Sequence, residues 1–335
     1  MWNYLSESES KAILKMKKIK KVLLTGQSIL NGIFGDTLAN SPLEVRMGLY
    51  YRGERINLDS NSINKYLSDR AIQAKKKVCI LVHGLTHNET AWDFPDHSNY
   101  GTFLEKDFHF VSFALRYNTG LHISENGQKL SQLLEEFFTN YPIPIEEICV
   151  IAHSMGGLLT HSACYYSQKN QYNWHQKLKK VFLIATPHKG SFLEQFANLT
   201  SNVLLQVPNW HTRLVGKVLN FRSAGIKDLR FAYMKDEDWQ DKQTDTLLEN
   251  APTHIEKLKD VSYYVISGRL TQKENHWIAK LFGDSLVDIE SAKKHYYFDF
   301  PPQNCYEFAK TNHFDIQTKM EVYEKIKEWY STPSH

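Results

Sequence analysis
Four stretches of this chain hold side chains suited to one kind of chemistry. They are His83-Gly84-Leu85, residues 152–157 (AHSMGG, with Ser154 among small residues), residues 283–287 (GDSLV, with Asp284) and residues 311–315 (TNHFD, with His313). A serine hydroxyl is a poor nucleophile until a base removes its proton. A carboxylate behind that base fixes its tautomer and balances the imidazolium that forms. Attack on a carbonyl creates an oxyanion, which paired backbone N–H groups can hold. Together the stretches contain the groups that covalent acyl transfer requires.

Ser154 sits between two apolar segments. The run 148–151 (ICVI) precedes it, and a helix-periodic run with Leu158, Leu159, Ala163 and Tyr166 follows, which predicts strand, turn and helix with serine at the apex. A nucleophile elbow has this form: its central residue is held in a strained conformation, and the residues two places either side, here Ala152 and Gly156, must be small. The competing reading is an ordinary helix N-cap. His83-Gly84-Leu85 closes another apolar run, 77–83 (KVCILVH). From there the N–H of Leu85 would join that of Met155 as a two-donor oxyanion hole, with His83 bracing the loop.

The partners of an elbow serine follow it as acid, then histidine. Late in the chain stand His276, His295, His313 and His335. His313 lies in a turn just before the last helical run, where an imidazole can reach over a serine. Between Ser154 and His313, Asp284 is the best-placed acid, with Asp288 the more serious rival and Glu290 another.

Elements that alternate in type must position these groups. The sequence predicts a helix over about 8–35, strands at 77–83, 108–117, 148–151, 181–185, 261–267 and 295–300, a helix from Ile123 stopped by Pro142 and Pro144, and a closing helix at 321–329. Such alternation implies a mostly parallel sheet with right-handed crossovers. Residues 189–260 are too long for a loop, and their apolar positions (Phe192, Phe196, Leu199, Val203, then Leu214, Val215, Val218, Leu219) suggest amphipathic helices forming a lid or cap.

Composition narrows the class. The chain has 335 residues with a formal net charge of +3, too balanced to argue for nucleic acid. Four scattered cysteines give neither a disulfide framework nor metal-ligand spacing, so reduced thiols and a cytoplasmic location are expected, with no metal and no cofactor. No apolar run is long enough for a membrane span. Residues 16–35 begin like a signal peptide, but Gln27, Ser28 and Asn31 interrupt the apolar stretch. The preferred reading is a helix docked on the body, with membrane-surface contact through Lys15, Lys17, Lys18, Lys20 and Lys21 as the alternative.

Taken together, HGL, AHSMGG, residues 185–191 (ATPHKGS), residues 283–292 (GDSLVDIESA) and TNHFD resemble the α/β-hydrolase superfamily, in its bacterial lipase/esterase branch. The resemblance covers roughly 77–330. It implies an α/β-hydrolase fold with a mostly parallel central sheet flanked by helices. The domain plan is an N-terminal helical extension (1–76), a core (77–188 and 261–335) and a helical lid or cap insertion (189–260). It also implies Ser154 as nucleophile, Asp284 as acid, His313 as base, and Leu85 and Met155 as oxyanion donors. Two positions depart from the pattern: Ala152 replaces the first elbow glycine, and Ser285 replaces the glycine expected after the acid.

The expected activity is hydrolysis of carboxylic esters, with a hydrophobic acyl or lipid ester as the leading substrate and Trp92 and Phe94 as substrate-binding candidates. Packing between lid and core is the other reading of those two rings. Thioesterase, amidase or acyltransferase chemistry could use the same triad, and a catalytically silent binding protein is the alternative from another class.

Overall fold
The computed structural model describes residues 7–69, 74–188, 223–240, 255–269, 299–313 and 315–332. An eight-stranded sheet runs through it in the order β2-β1-β4-β3-β5-β6-β7-β8. The strands are β1 (Gly48–Tyr51), β2 (Glu54–Arg55), β3 (Lys77–Val82), β4 (Val111–Arg116), β5 (Glu147–His153), β6 (Leu178–Ile184), β7 (Ser262–Arg269) and β8 (Cys305–Ala309). From β4 to β8 all pairings are parallel, whereas β1 is antiparallel to both β2 and β4. The helices are α1 (Glu7–Phe34), α2 (Ser60–Asp69), α3 (Tyr100–Phe108), α4 (Ile123–Asn140), α5 (Met155–Lys169), α6 (Ala224–Phe231), α7 (Asp236–Trp239) and α8 (Met320–Ser331).

Both faces of the sheet are covered, which explains the near-continuous apolar runs of the central strands. In β3, Val78, Ile80 and Val82 enter one apolar cluster with Leu130, Leu134, Leu158 and Leu159 of α4 and α5. Cys79 and Leu81, at the alternate positions, enter a second with Leu104 of α3 and Val322, Ile326 and Trp329 of α8. The period of two along the strand thus sends neighbouring residues into opposite layers.

Two expectations need revision. Residues 1–76 are more than a helical extension, because β1 joins the sheet beside β4. The last strand is β8, 305–309, a mixed polar segment at the sheet edge; of the expected strand at 295–300, only Asp299 and Phe300 are described, and neither is in a strand. The expected insertion helices before residue 223 lie outside the described residues. Its described part, 223–240, packs on the core. The His122 ring stacks on Trp239 with centroids 3.6 Å apart and its Nδ1 lies 3.0 Å from Asp228. Ser162 Oγ donates to the Met234 carbonyl at 2.6 Å.

α1 is also part of the body at its C-terminal end. A Cβ on Gly32 would fall 2.5 Å from Thr86 Cγ2, and Ser223 Oγ donates to the Gly32 carbonyl at 2.7 Å. Asn88 Nδ2 donates to Ser28 Oγ at 3.2 Å, and Asn118 Nδ2 to the Gly35 carbonyl at 3.0 Å. No described helix is long and apolar enough to cross a membrane.

Candidate active site
β5 ends at His153, and the chain turns at Ser154 with φ 53° and ψ −125° before α5 begins at Met155. A side chain in that region costs about 1–3 kcal/mol, which the surroundings must offset. They do so with two hydrogen bonds: Ser154 N–H donates to the Ile184 carbonyl at 2.8 Å, and Gly157 N–H donates to the Ser154 carbonyl at 3.0 Å. The Ser154 hydroxyl makes no cap bond to α5, so an ordinary N-cap does not account for it.

The small-residue pattern has a steric cause. A Cβ on Gly156 would lie 2.4 Å from the Val82 carbonyl oxygen, and one on Gly157 would lie 2.1 Å from Thr186 Oγ1. Ala152, by contrast, keeps regular strand register opposite Val82 and Leu183. Its methyl is fully buried, and the strained dihedral falls on Ser154 instead.

The loop after β3 lies against this elbow. A Cβ on Gly84 would come within 3.0 Å of Ser154 Cβ and 3.1 Å of His153 Nδ1. His83 is fully buried, and burial pushes its imidazole down to about 3. The neutral ring stacks on Tyr117 at 4.5 Å and its Nδ1 donates to the Gly84 carbonyl at 2.9 Å, while Tyr117 Oη donates to the His83 carbonyl at 2.9 Å. Further along, Thr86 N–H donates to Thr119 Oγ1 at 3.1 Å, and Arg116 Nε donates to Glu89 at 2.6 Å. Among the described residues, the N–H groups of Leu85 and Met155 donate to no protein acceptor.

His313 is largely buried, with its ring 4.9 Å from that of His153. Burial pushes its imidazole down to about 3, with His87 adding in the same direction. His153 Nε2 donates to the His313 carbonyl at 2.9 Å. Sequence reasoning passed over His153, Tyr117 and Thr119. His153 was the one within reach, since alternation along β5 must send it to the opposite face from Ala152.

Asp284 and its rivals Asp288 and Glu290 lie outside the described residues, as do His276 and His295. What is described is where that segment departs: β7 ends beside the loop of His313, where a Cβ on Gly268 would lie 2.5 Å from the Thr311 carbonyl. Trp92 and Phe94 fall on the core side. Trp92 is fully buried, 6.0 Å from Tyr100 and 6.5 Å from His153, and Phe94 packs on Tyr100 and Phe103. This placement favours their packing reading over substrate contact. Among the described residues, no three His, Cys, Asp or Glu side chains converge as metal ligands would.

Residues 73–251 match the family described as "Putative serine esterase (DUF676)". Similar solved structures include the Bacillus licheniformis lipase BlEst2 in mature form (19% identity, 77% of this chain and 93% of that one, TM-score 0.49). They also include the Pyrococcus furiosus esterase Pf2001 (15%, 76% and 80%, TM-score 0.41). Another is the RedJ thioesterase of the prodiginine biosynthetic pathway in Streptomyces coelicolor (10%, 76% and 90%, TM-score 0.43). A search of curated proteins gave no match.

Proposed function
Because the chain belongs to this serine esterase family, we propose that it hydrolyses carboxylic esters through an acyl-enzyme intermediate. In this reading Ser154 is the nucleophile, His313 the base, Asp284 the acid, and the N–H groups of Leu85 and Met155 the oxyanion donors. The observation that carries it is the strained Ser154, whose hydroxyl is not used as a cap and whose elbow meets the His83–Leu85 loop on one side.

His313 takes the Ser154 proton as Oγ attacks the ester carbonyl, and the two amides hold the oxyanion of the tetrahedral adduct. The protonated imidazole then gives its proton to the departing alkoxide, leaving an acyl-serine. Water, deprotonated by the same ring, attacks that acyl group; collapse of the second adduct returns the proton to Ser154 and releases the carboxylic acid. Burial, with His87 adding to it, leaves the His313 imidazole at about 3, a weak base. A carboxylate on its second nitrogen raises basicity and stabilises the imidazolium, which is the part Asp284 would play.

Labelling with a fluorophosphonate tests the reading. The native protein should be labelled at Ser154 and the Ser154→Ala variant should not. Native protein that resists a probe which labels a control lipase overturns it. Rates across p-nitrophenyl esters of increasing chain length then define the acyl preference; a sharp preference for acetyl removes the lipid-ester version.

A further inference from the structure
The outer face of α1 is unlike the rest of the described surface. Seven large apolar side chains stand exposed among the described residues, and four of them, Ile19, Val22, Leu23 and Leu30, are on this one helix. A fifth, Leu43, is held beside it, its carbonyl accepting from Gln27 Nε2 at 3.1 Å and from Asn31 Nδ2 at 2.8 Å. A soluble surface carries single exposed apolar residues without consequence, but a contiguous stripe marks something that covers it.

The helix has two sides with different partners. Ser28, Asn31 and Gly32 form the side that docks on the body, against Asn88, Ser223 and Thr86. Ile19, Leu23 and Leu30 recur at steps of four and seven, with Val22 beside them, so they share one face. At 100° per residue that face is on the opposite side of the cylinder from the docked one.

Charge identifies the occupant. α1 carries six lysines (Lys11, Lys15, Lys17, Lys18, Lys20, Lys21) against Glu7 and Glu9, a net of +4, while the whole chain has only +3. The remainder of the protein is therefore close to neutral, with one net negative charge, and the excess positive charge sits on the helix with the apolar stripe. A second copy would bring +4 against +4 as the stripes met. An anionic lipid surface accepts both features, with apolar side chains entering the acyl boundary and lysines meeting the headgroups.

We propose that the exposed face of α1 docks this protein on anionic membrane surfaces. Its docked side touches the loop that follows His83-Gly84-Leu85, so a bound helix would set that loop about one helix diameter, roughly 10 Å, from the lipid. The proposal does not depend on the esterase reading, because it is tested by binding alone.

The test is co-flotation of the full chain with vesicles of phosphatidylglycerol and phosphatidylcholine, against phosphatidylcholine alone, at low and high salt. The protein should float with the anionic vesicles, and high salt should weaken this several-fold. Leu23→Asp and Val22→Asp, at positions 69% and 64% exposed, should each lower vesicle partitioning at least tenfold. Their thermal melts and their rates on a short water-soluble ester should stay within twofold of the parent's. Absence of flotation with anionic vesicles overturns the proposal, as does flotation that neither variant weakens. A concentration-dependent dimer that Leu23→Asp dissociates, without vesicle binding, would reassign the stripe to a second copy. Loss of fluorophosphonate labelling with vesicle binding intact would strike only the esterase reading.

Discussion

His153 Nε2 and the main-chain carbonyl of His313 are 2.9 Å apart. A carbonyl can only accept, so the proton is on Nε2 and His153 is held as one tautomer. Burial keeps that ring neutral, well below the usual imidazole range, with the neighbouring His313 and His87 acting in the same direction. The residue immediately before Ser154 therefore holds the backbone of the residue proposed as base, and its Nδ1 edge lies against Gly84. Three separate loops meet on one imidazole.

Removing that bond should act on turnover more than on substrate affinity. A buried hydrogen bond that loses one partner costs about 1–3 kcal/mol, so His153→Leu should lower kcat roughly tenfold or more, with KM changed little. His153→Gln, whose amide can still donate, should recover part of the loss. Steady-state rates on a soluble p-nitrophenyl ester check both, and a uniform rise in KM with unchanged kcat would count against a positioning role.

Strain at the elbow predicts opposite effects on stability and activity. Ser154→Ala removes the hydroxyl but leaves a Cβ at φ 53°, whereas Ser154→Gly also relieves the backbone. Both should lose about 1,000-fold or more in turnover. The glycine variant should be the more stable of the two by about 1 kcal/mol, measured by urea denaturation. Equal stability of the two variants would mean that the turn stores little.

The acid is settled by comparing two asparagines. Asp284→Asn should lower kcat by about 1,000-fold or more, with Asp288→Asn near the parent rate. The reverse pattern moves the role to Asp288.

Buried imidazoles make stability depend on acid. His83, His161 and His313 are each held down to about 3 by burial, while an unfolded imidazole titrates at about 6.5. The folded value is the lower one, so the unfolded chain binds protons first. The stabilisation is fully present above about 6.5 and is lost as pH falls toward 3, by about 2 kcal/mol per ring between pH 7 and 5. If Asp284 pairs with His313, that ring's share shrinks and the other two remain. Urea midpoints at pH 7, 6 and 5 read this directly; a flat profile contradicts it.

How much of this was legible beforehand depended on the kind of signal. β3, β5 and β6 announce themselves because strands buried on both faces must be apolar throughout. β8 did not, because residues 305–309 (CYEFA) at the sheet edge mix polar and apolar groups and are only partly buried. β1 was hidden for another reason: four residues, GLYY, are too short for any periodicity to show. The elbow could be read from local spacing, because its small residues cluster within 152–157, although the contacts that require Gly156 and Gly157 come from Val82 and Thr186, far away in sequence. The His153–His313 bond joins residues 160 apart, and no local pattern encodes such a pair. Trp92 was ambiguous because an aromatic near a reactive loop looks the same in sequence whether it faces a substrate or a core.

The clamp around the loop after β3 has a consequence for synthesis. Gly32 and Asp36 bond Ser223 and Ala224 across 191 and 188 positions, and Tyr100 waits for Ile316 and Lys319. A ribosome adding about 5–20 residues per second leaves those early groups unmatched for roughly ten seconds or more. A nascent chain therefore carries Ser154 before residues 223, 224, 316 and 319 arrive to fasten the elements around it.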